Sequence, residues 1–161
     1  MQLSNLDLSK MYTYADYLKW QLDERVELIR GKVFRMSPAP NYEHQRISSD
    51  LHGFIWSHLR DKECKVFSAP FDVLLTIKSK ENEMINTVLQ PDICVICDMS
   101  KKDIRGCVGA PEIVVEILSP GNNAKELITK YEVYEQAGVK EYWVVSPTTQ
   151  TFIINTLVDG K

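Results

Sequence analysis

Glu112-Ile-Val-Val-Glu-Ile-Leu118 is an apolar run broken by two acids. Strand side chains alternate between faces. Glu112, Val114, Glu116 and Leu118 therefore share one side, and Ile113, Val115 and Ile117 share the other. A lone carboxylate in such a run is costly to bury, so it takes up a proton or finds a partner. For Glu116 the partner is a salt bridge, a helix cap or a divalent metal. A second acid, Asp92 in Gln90-Pro91-Asp92, opens the apolar run Ile93-Cys94-Val95-Ile96. Read locally, Asp92 caps a turn. If its strand lies beside that of Glu116, the two carboxylates share one cation. Mg2+ and Mn2+ prefer oxygen donors. Held there, such an ion activates water and steadies charge on a phosphate oxygen.

The third component is a cation. Leu118 leaves the Glu116 strand without one, and Lys130 lies on the helical segment that follows. Glu126, Lys130 and Tyr134 advance four residues at a time and stack on one helix side. On a solvated face this is an ordinary Glu-to-Lys pair. On a face turned toward the acids, Lys130 orients water or binds phosphate, and Tyr134 supports it. Glu43-His44 starts another helix, where Glu43 suits the helix dipole. By helical phase His44 and His58 fall on or near its apolar face and His52 off it. Three histidines without metal-ligand spacing do not make a zinc site. Cys94 and Cys97 fall on opposite strand faces, and no second pair completes a zinc set.

These residues need elements to hold them. Thr13-Tyr-Ala-Asp16 reads as a capping box opening a short helix that ends near Gln21. Val26–Ile29 and Lys32–Met36 read as a hairpin turning at Arg30-Gly31. Tyr42 to Leu59 is a helix with Ile47, Leu51, Phe54, Ile55 and Leu59 on its apolar face. Cys64 to Ile77 carries a long strand signal, with Pro70 marking a bulge, edge or break. Lys78 to Asn86 is a polar loop, Val88 to Ile96 a strand, and Met99 to Val108 a polar connection. Lys125 to Ala137 is a helix closed by Gly138. Lys140–Val145 and Thr151–Leu157 are final strands. The order implies an α/β fold in which one mixed sheet carries packed helices.

The 161 residues fit a single domain, residues 1–161. Its last strand has no neighbour in sequence, which suggests a truncated carboxy terminus. At 44% hydrophobic and 25% charged, the composition excludes a disordered chain, a collagen and a coiled-coil rod. No apolar run is long enough for a membrane helix, and the amino terminus lacks a secretory pattern. A cytoplasmic protein with free thiols at Cys64, Cys94, Cys97 and Cys107 is the expectation. The net charge of -3 argues against a general nucleic-acid coating protein but not against a nuclease.

Taken together, the segments Gln90-Pro91-Asp92, Gly109 to Pro120, Lys130 with Tyr134, and Ala137 to Val145 resemble the Uma family of restriction-endonuclease-like proteins. Glu27-Leu28-Ile29-Arg30-Gly31 and Glu43-His44 match its amino-terminal pattern, and the resemblance spans Tyr14 to Leu157. It implies a restriction-endonuclease-like mixed sheet flanked by helices, with an amino-terminal helix and hairpin, within the PD-(D/E)xK nuclease superfamily. Asp92 then matches the PD aspartate and Glu116 the acid of ExK. Leu118 stands where ExK has lysine, and the family supplies its lysine from the next helix, here Lys130. Glu43 matches a first-helix acid that some such nucleases use as a further metal contact. Glu126 stands where the family often has Asp, and no catalytic role is assigned to it.

The resulting expectation is a DNA endonuclease dependent on Mg2+ or Mn2+. Its catalytic residues would be Asp92, Glu116, Lys130 and Tyr134, and its metal ligands Asp92, Glu116 and Glu43. The rival is a non-catalytic nucleic-acid-binding or scaffolding protein that keeps the fold. A homodimer is expected, with Phe152-Ile153-Ile154 supplying surface. Replacing Lys130 by Met is expected to abolish cleavage and leave folding largely intact.

Overall fold

The structure, a computed structural model, describes residues 3–36, 41–75, 85–120 and 124–161. Residues 78–84 of the expected 78–86 loop lie outside these residues, as do 76–77 at the end of the 64–77 strand signal.

Thr13 caps α1 (Tyr14–Tyr17) through the expected capping box: its hydroxyl accepts from the Asp16 amide, and Asp16 accepts back from the Thr13 amide. The helix ends at Tyr17 rather than near Gln21. Lys19 and Trp20 donate to carbonyls only three residues back, which tightens the chain into a turn. β1 (Val26–Ile29) and β2 (Lys32–Arg35) pair antiparallel. Arg30 and Gly31 both have positive φ, 49° and 80°, as a two-residue hairpin turn of matching twist requires.

Prolines divide two segments that carry strand signals, and at Pro70 the outcome is the break among the expected alternatives. The first becomes β3 (Lys65–Ser68) and β4 (Asp72–Leu74), separated by the cis Ala69–Pro70 bond. The second becomes β5 (Val88–Leu89) and β6 (Ile93–Ile96), separated at Pro91. A proline has no N–H for the ladder, so pairing stops there. Each chain segment then passes from one sheet to the other. The two crossings touch where the Ala69 amide donates to the Asp92 carbonyl at 3.0 Å.

The expected α/β class with mixed sheets is present, but the strands form two five-stranded sheets instead of one. The first runs β2-β1-β5-β4-β7, where β7 (Gly106–Val108) lies inside the segment expected to be a polar connection. The second runs β10-β9-β8-β6-β3, with β8 (Ile113–Ile117), β9 (Glu141–Ser146) and β10 (Thr151–Thr156). β4 with β7 and β8 with β9 are parallel; the other pairs are antiparallel. β10 edges its sheet and leaves Phe152, Ile153 and Ile154 about half exposed.

α2 (Tyr42–Leu59) packs Ile47, Leu51 and Ile55 on Ile93, Val115, Ile117 and Val145 of the second sheet. Phe54, expected on that seam, is 74% exposed. The packed residues recur every four, and Phe54 lies one position off that phase. α3 (Ala124–Ala137) sends Val133 and Tyr134 into a core shared with Ile29 and Leu89 of one sheet and Cys94 and Val114 of the other. Gly138 closes it with φ 86°.

The expectation of four free thiols is corrected. Cys64 and Cys97 form a disulfide, while Cys94 and Cys107 are free and buried. β3 and β6 are antiparallel with Lys65 opposite Ile96, so the residues just outside that pair face each other.

Two glycines should respond oppositely to alanine. A Cβ on Gly106 would collide with the backbone of Asp72, its partner in β4. Gly106→Ala should therefore cost about 1–3 kcal/mol as overpacking. Gly53 sits inside α2 with open space around it. Gly53→Ala should stabilise the protein by about 0.5–1 kcal/mol. Urea unfolding of both variants checks this, and a harmless Gly106→Ala would contradict the strand packing.

Candidate active site

β8 and β6 bring the two sequence-predicted acids together. Ile93 pairs with Val115, so the next step of the register sets Asp92 opposite Glu116. Asp92 Oδ2 accepts from the Ile117 amide at 2.7 Å, which fastens the aspartate to the Glu116 strand. α2 closes over this end with His44, whose Nε2 lies 3.2 Å from Asp92 Oδ1.

Glu116 points toward α3. Its Oε1 accepts from Lys130 Nζ at 3.1 Å and from the Tyr134 hydroxyl at 2.9 Å. The stacking of positions 130 and 134 on one helix side makes this double contact possible. Lys130, Tyr134 and Glu116 are all buried. Lys130 thus faces the interior, and the alternative of a solvated helix pair does not hold. Glu126 lies one turn earlier, 4.0 Å from Lys130.

A third acid completes the cluster, and the sequence reading assigned it no role. Glu27 in β1 is 1% exposed. Its Oε2 lies 2.9 Å from Lys130 Nζ, and its Oε1 accepts from the Gln90 amide at 2.9 Å. Strand alternation explains the placement. Val26 and Leu28 turn to the cluster around α1, whereas Glu27 and Ile29 turn to the other side. The available signal was an acid inside a short apolar strand, the same signal that singled out Glu116.

Glu43 is not brought to these acids. It is exposed, and its carboxylate lies 3.0 Å from Arg46 on the outer side of α2. Its neighbour His44 is the residue of this turn that is buried against Asp92.

Charge balance follows from the geometry. Burial pushes the Glu116 carboxyl up; Glu27 and Asp92 add to this, and Lys130 and the Tyr134 hydroxyl oppose it. Burial pulls the Lys130 ammonium down, but Glu116 and Glu27 outweigh it and hold the group well above the usual lysine range. Burial, then the neighbouring carboxylates, keeps Tyr134 a neutral hydroxyl that donates. The Asp92 hydrogen bond raises His44, against the effect of its burial.

Strand register thus sets Asp92 and Glu116 opposite each other, with the Lys130 ammonium held on Glu116. Among the described residues, no group of three or more His, Cys, Asp and Glu side chains is placed to hold a metal ion. No described helix is long and apolar enough to cross a membrane.

Known proteins bear on this arrangement. Residues 14–161 match the Uma2 family, described as "Putative restriction endonuclease". An uncharacterized protein of Synechocystis is 26% identical over 137 residues, covering 83% of this chain and 68% of that protein. A crystal structure described as "a putative nuclease belonging to DUF820" from Anabaena variabilis superposes with a TM-score of 0.72. It is 20% identical, and the match covers 89% of this chain and 79% of that one, a likeness of fold.

Lys130 compensates two buried carboxylates, so the expectation that Lys130→Met leaves folding intact is revised. Removing one partner of a buried charge cluster costs about 3–5 kcal/mol. Denaturant unfolding should show a loss of that size, and a loss below about 1 kcal/mol would mean the charges are not buried together. His44 supplies a second test. Without divalent ions its ring should titrate above the ordinary 6.5, and Asp92→Asn should lower that midpoint. The stability contributed by this pair is full below pH 6.5 and is lost as pH rises through the folded midpoint. An NMR midpoint at or below 6.5 would contradict the pairing.

Proposed function

The chain belongs to the Uma2 family, and from that premise we propose that it is a metal-dependent endonuclease that hydrolyses phosphodiester bonds in DNA. One observation carries the reading: α3 delivers to Glu116 the cation that Leu118 does not supply. Asp92 and Glu116 would hold Mg2+ or Mn2+. The donor set fits such an ion, because magnesium commonly takes one or two protein carboxylates and completes its shell with water and phosphate. Both described hydrogen bonds to Glu116 land on Oε1 and so do not engage Oε2. When bound, the ion supplies an activated water and charge stabilisation.

The residues do the rest. Lys130 offsets negative charge beside Glu116, so that a phosphate can approach two acids, and it stabilises charge growing on the phosphate. Tyr134 holds Glu116 in place. His44 and the Ile117 amide orient Asp92 from either carboxylate oxygen. The reading includes a homodimer through the exposed β10 edge, which would present two sites to the two strands of a duplex.

A second reading has its own support. Lys130 lies as close to Glu27, 2.9 Å, as to Glu116, 3.1 Å, so its charge already serves a structural pair. This favours a non-catalytic nucleic-acid-binding or scaffolding protein on the nuclease fold.

Incubation with supercoiled plasmid DNA in Mg2+ or Mn2+ separates the two. The parent protein should nick the plasmid, and Asp92→Asn and Glu116→Gln, confirmed folded by circular dichroism, should each lose about 100-fold or more, as when preorganised transition-state stabilisation is removed. No cleavage with either metal would favour the non-catalytic reading, and undiminished cleavage by the folded variants would reject Asp92 and Glu116 as the catalytic groups.

A further inference from the structure

A polar cavity of about 440 Å³ opens beside Asp92, and apart from Asp92 and His44 its lining has no part in the proposed chemistry. That volume is within the range of small-ligand sites. One wall is a single side of α2, formed by His44, Gln45, Ser48, Ser49 and His52. The steps of three, one and three keep the last four on one stripe. The Ser68-Ala69-Pro70 corner between β3 and β4 also lines it, as does Arg25.

The chemistry of this lining is one-sided. Arg25, Gln45, His52 and the serines all offer hydrogen-bond donors. Asp92 is the one acid among the lining residues, and it is already engaged by His44. The remaining acids of the same helix stretch, Glu43 and Asp50, lie on its other side and pair with Arg46 at 3.0 and 3.2 Å. The Arg25 guanidinium is held by the neutral Gln90 side chain at 2.6 Å, an anchor that aims it without cancelling its charge. The lining contains no Phe, Tyr or Trp; its planar side chains are Arg25, His44 and His52, and of these His44 is turned to Asp92.

We propose that this cavity is a backbone-binding subsite for a nucleic-acid strand, in which Arg25 and His52 contact phosphates next to the one at Asp92 and Glu116. A cation and hydroxyls grouped on one side suit phosphate oxygens, and contacts to phosphate set register without reading sequence. It explains how a chain of net charge -3 engages a polyanion: the donors are gathered on one side of α2 and the acids on the other. The proposal rests on the nuclease reading only for the identity of the neighbouring phosphate.

The test is fluorescence anisotropy with labelled single-stranded DNA of two unrelated sequences, in Ca2+, across a salt series. A methylphosphonate version removes the backbone charge. Arg25→Gln and His52→Ala should each weaken binding several-fold for both sequences. Arg25→Gln should also flatten the slope of log affinity against log salt by about one. Arg46→Gln, on the opposite side of α2, should bind like the parent, and the methylphosphonate strand should bind weakly. Parent-like binding by both cavity variants, absence of DNA binding by the parent, or equal binding of the methylphosphonate strand would overturn the subsite. A protein that shows the expected pattern but never cleaves overturns the nuclease reading and leaves the subsite standing.

Discussion

The Lys130 ammonium lies between Glu27 and Glu116, one acid from each sheet, with Tyr134 closing on the same carboxylate oxygen as the lysine. Taking three ionisable groups out of water is expensive, and attraction repays that cost only when the geometry is good and the remaining oxygens find donors. Here the Gln90 amide, the Tyr134 hydroxyl and the ammonium itself supply them. The arrangement therefore constrains three elements at once. β1, β8 and α3 must keep their mutual positions, because moving any one leaves an uncompensated charge inside the protein.

The crossings at Pro70 and Pro91 create the setting for this cluster. Each ends pairing in one sheet and restarts it in the other, and the hydrogen bond from Ala69 to the Asp92 carbonyl ties the two together. Asp92 consequently stands at a strand start, where its side chain reaches the Ile117 amide and His44. Gln90, on the other side of Pro91, turns its amide to Glu27. One short stretch, residues 90–92, thus serves the structural cluster and the candidate metal ligands. Stability and chemistry share the same few groups here.

The sequence showed the parts whose signals are local. The capping box, the Arg30-Gly31 hairpin, the bounds of α2 and the strand around Glu116 follow from side-chain periodicity and from residues suited to positive φ. Lys130 was legible because helical spacing ties it to Tyr134 and because Leu118 leaves a gap. What escaped depends on distant partners. A proline can bend a strand or send it to a second sheet, and only the neighbouring strands decide. β7 is only three residues long, and it pairs with β4 where Gly106 allows the close approach to Asp72. Glu27 looked like part of a hairpin because its partner lies 103 residues away. The Cys64–Cys97 bond follows from strand register, which spacing along the chain does not reveal.

A double-mutant cycle on Glu27 and Lys130 tests the central claim most directly. Unfolding free energies of the parent, Glu27→Gln, Lys130→Met and the double variant give the coupling between the two side chains without assuming any activity. If the lysine compensates both acids, Lys130→Met should cost less once Glu27 is neutral, with a coupling of about 1–3 kcal/mol. Additive costs would contradict the account, because Lys130 and Glu27 would then be neighbours without being energetic partners.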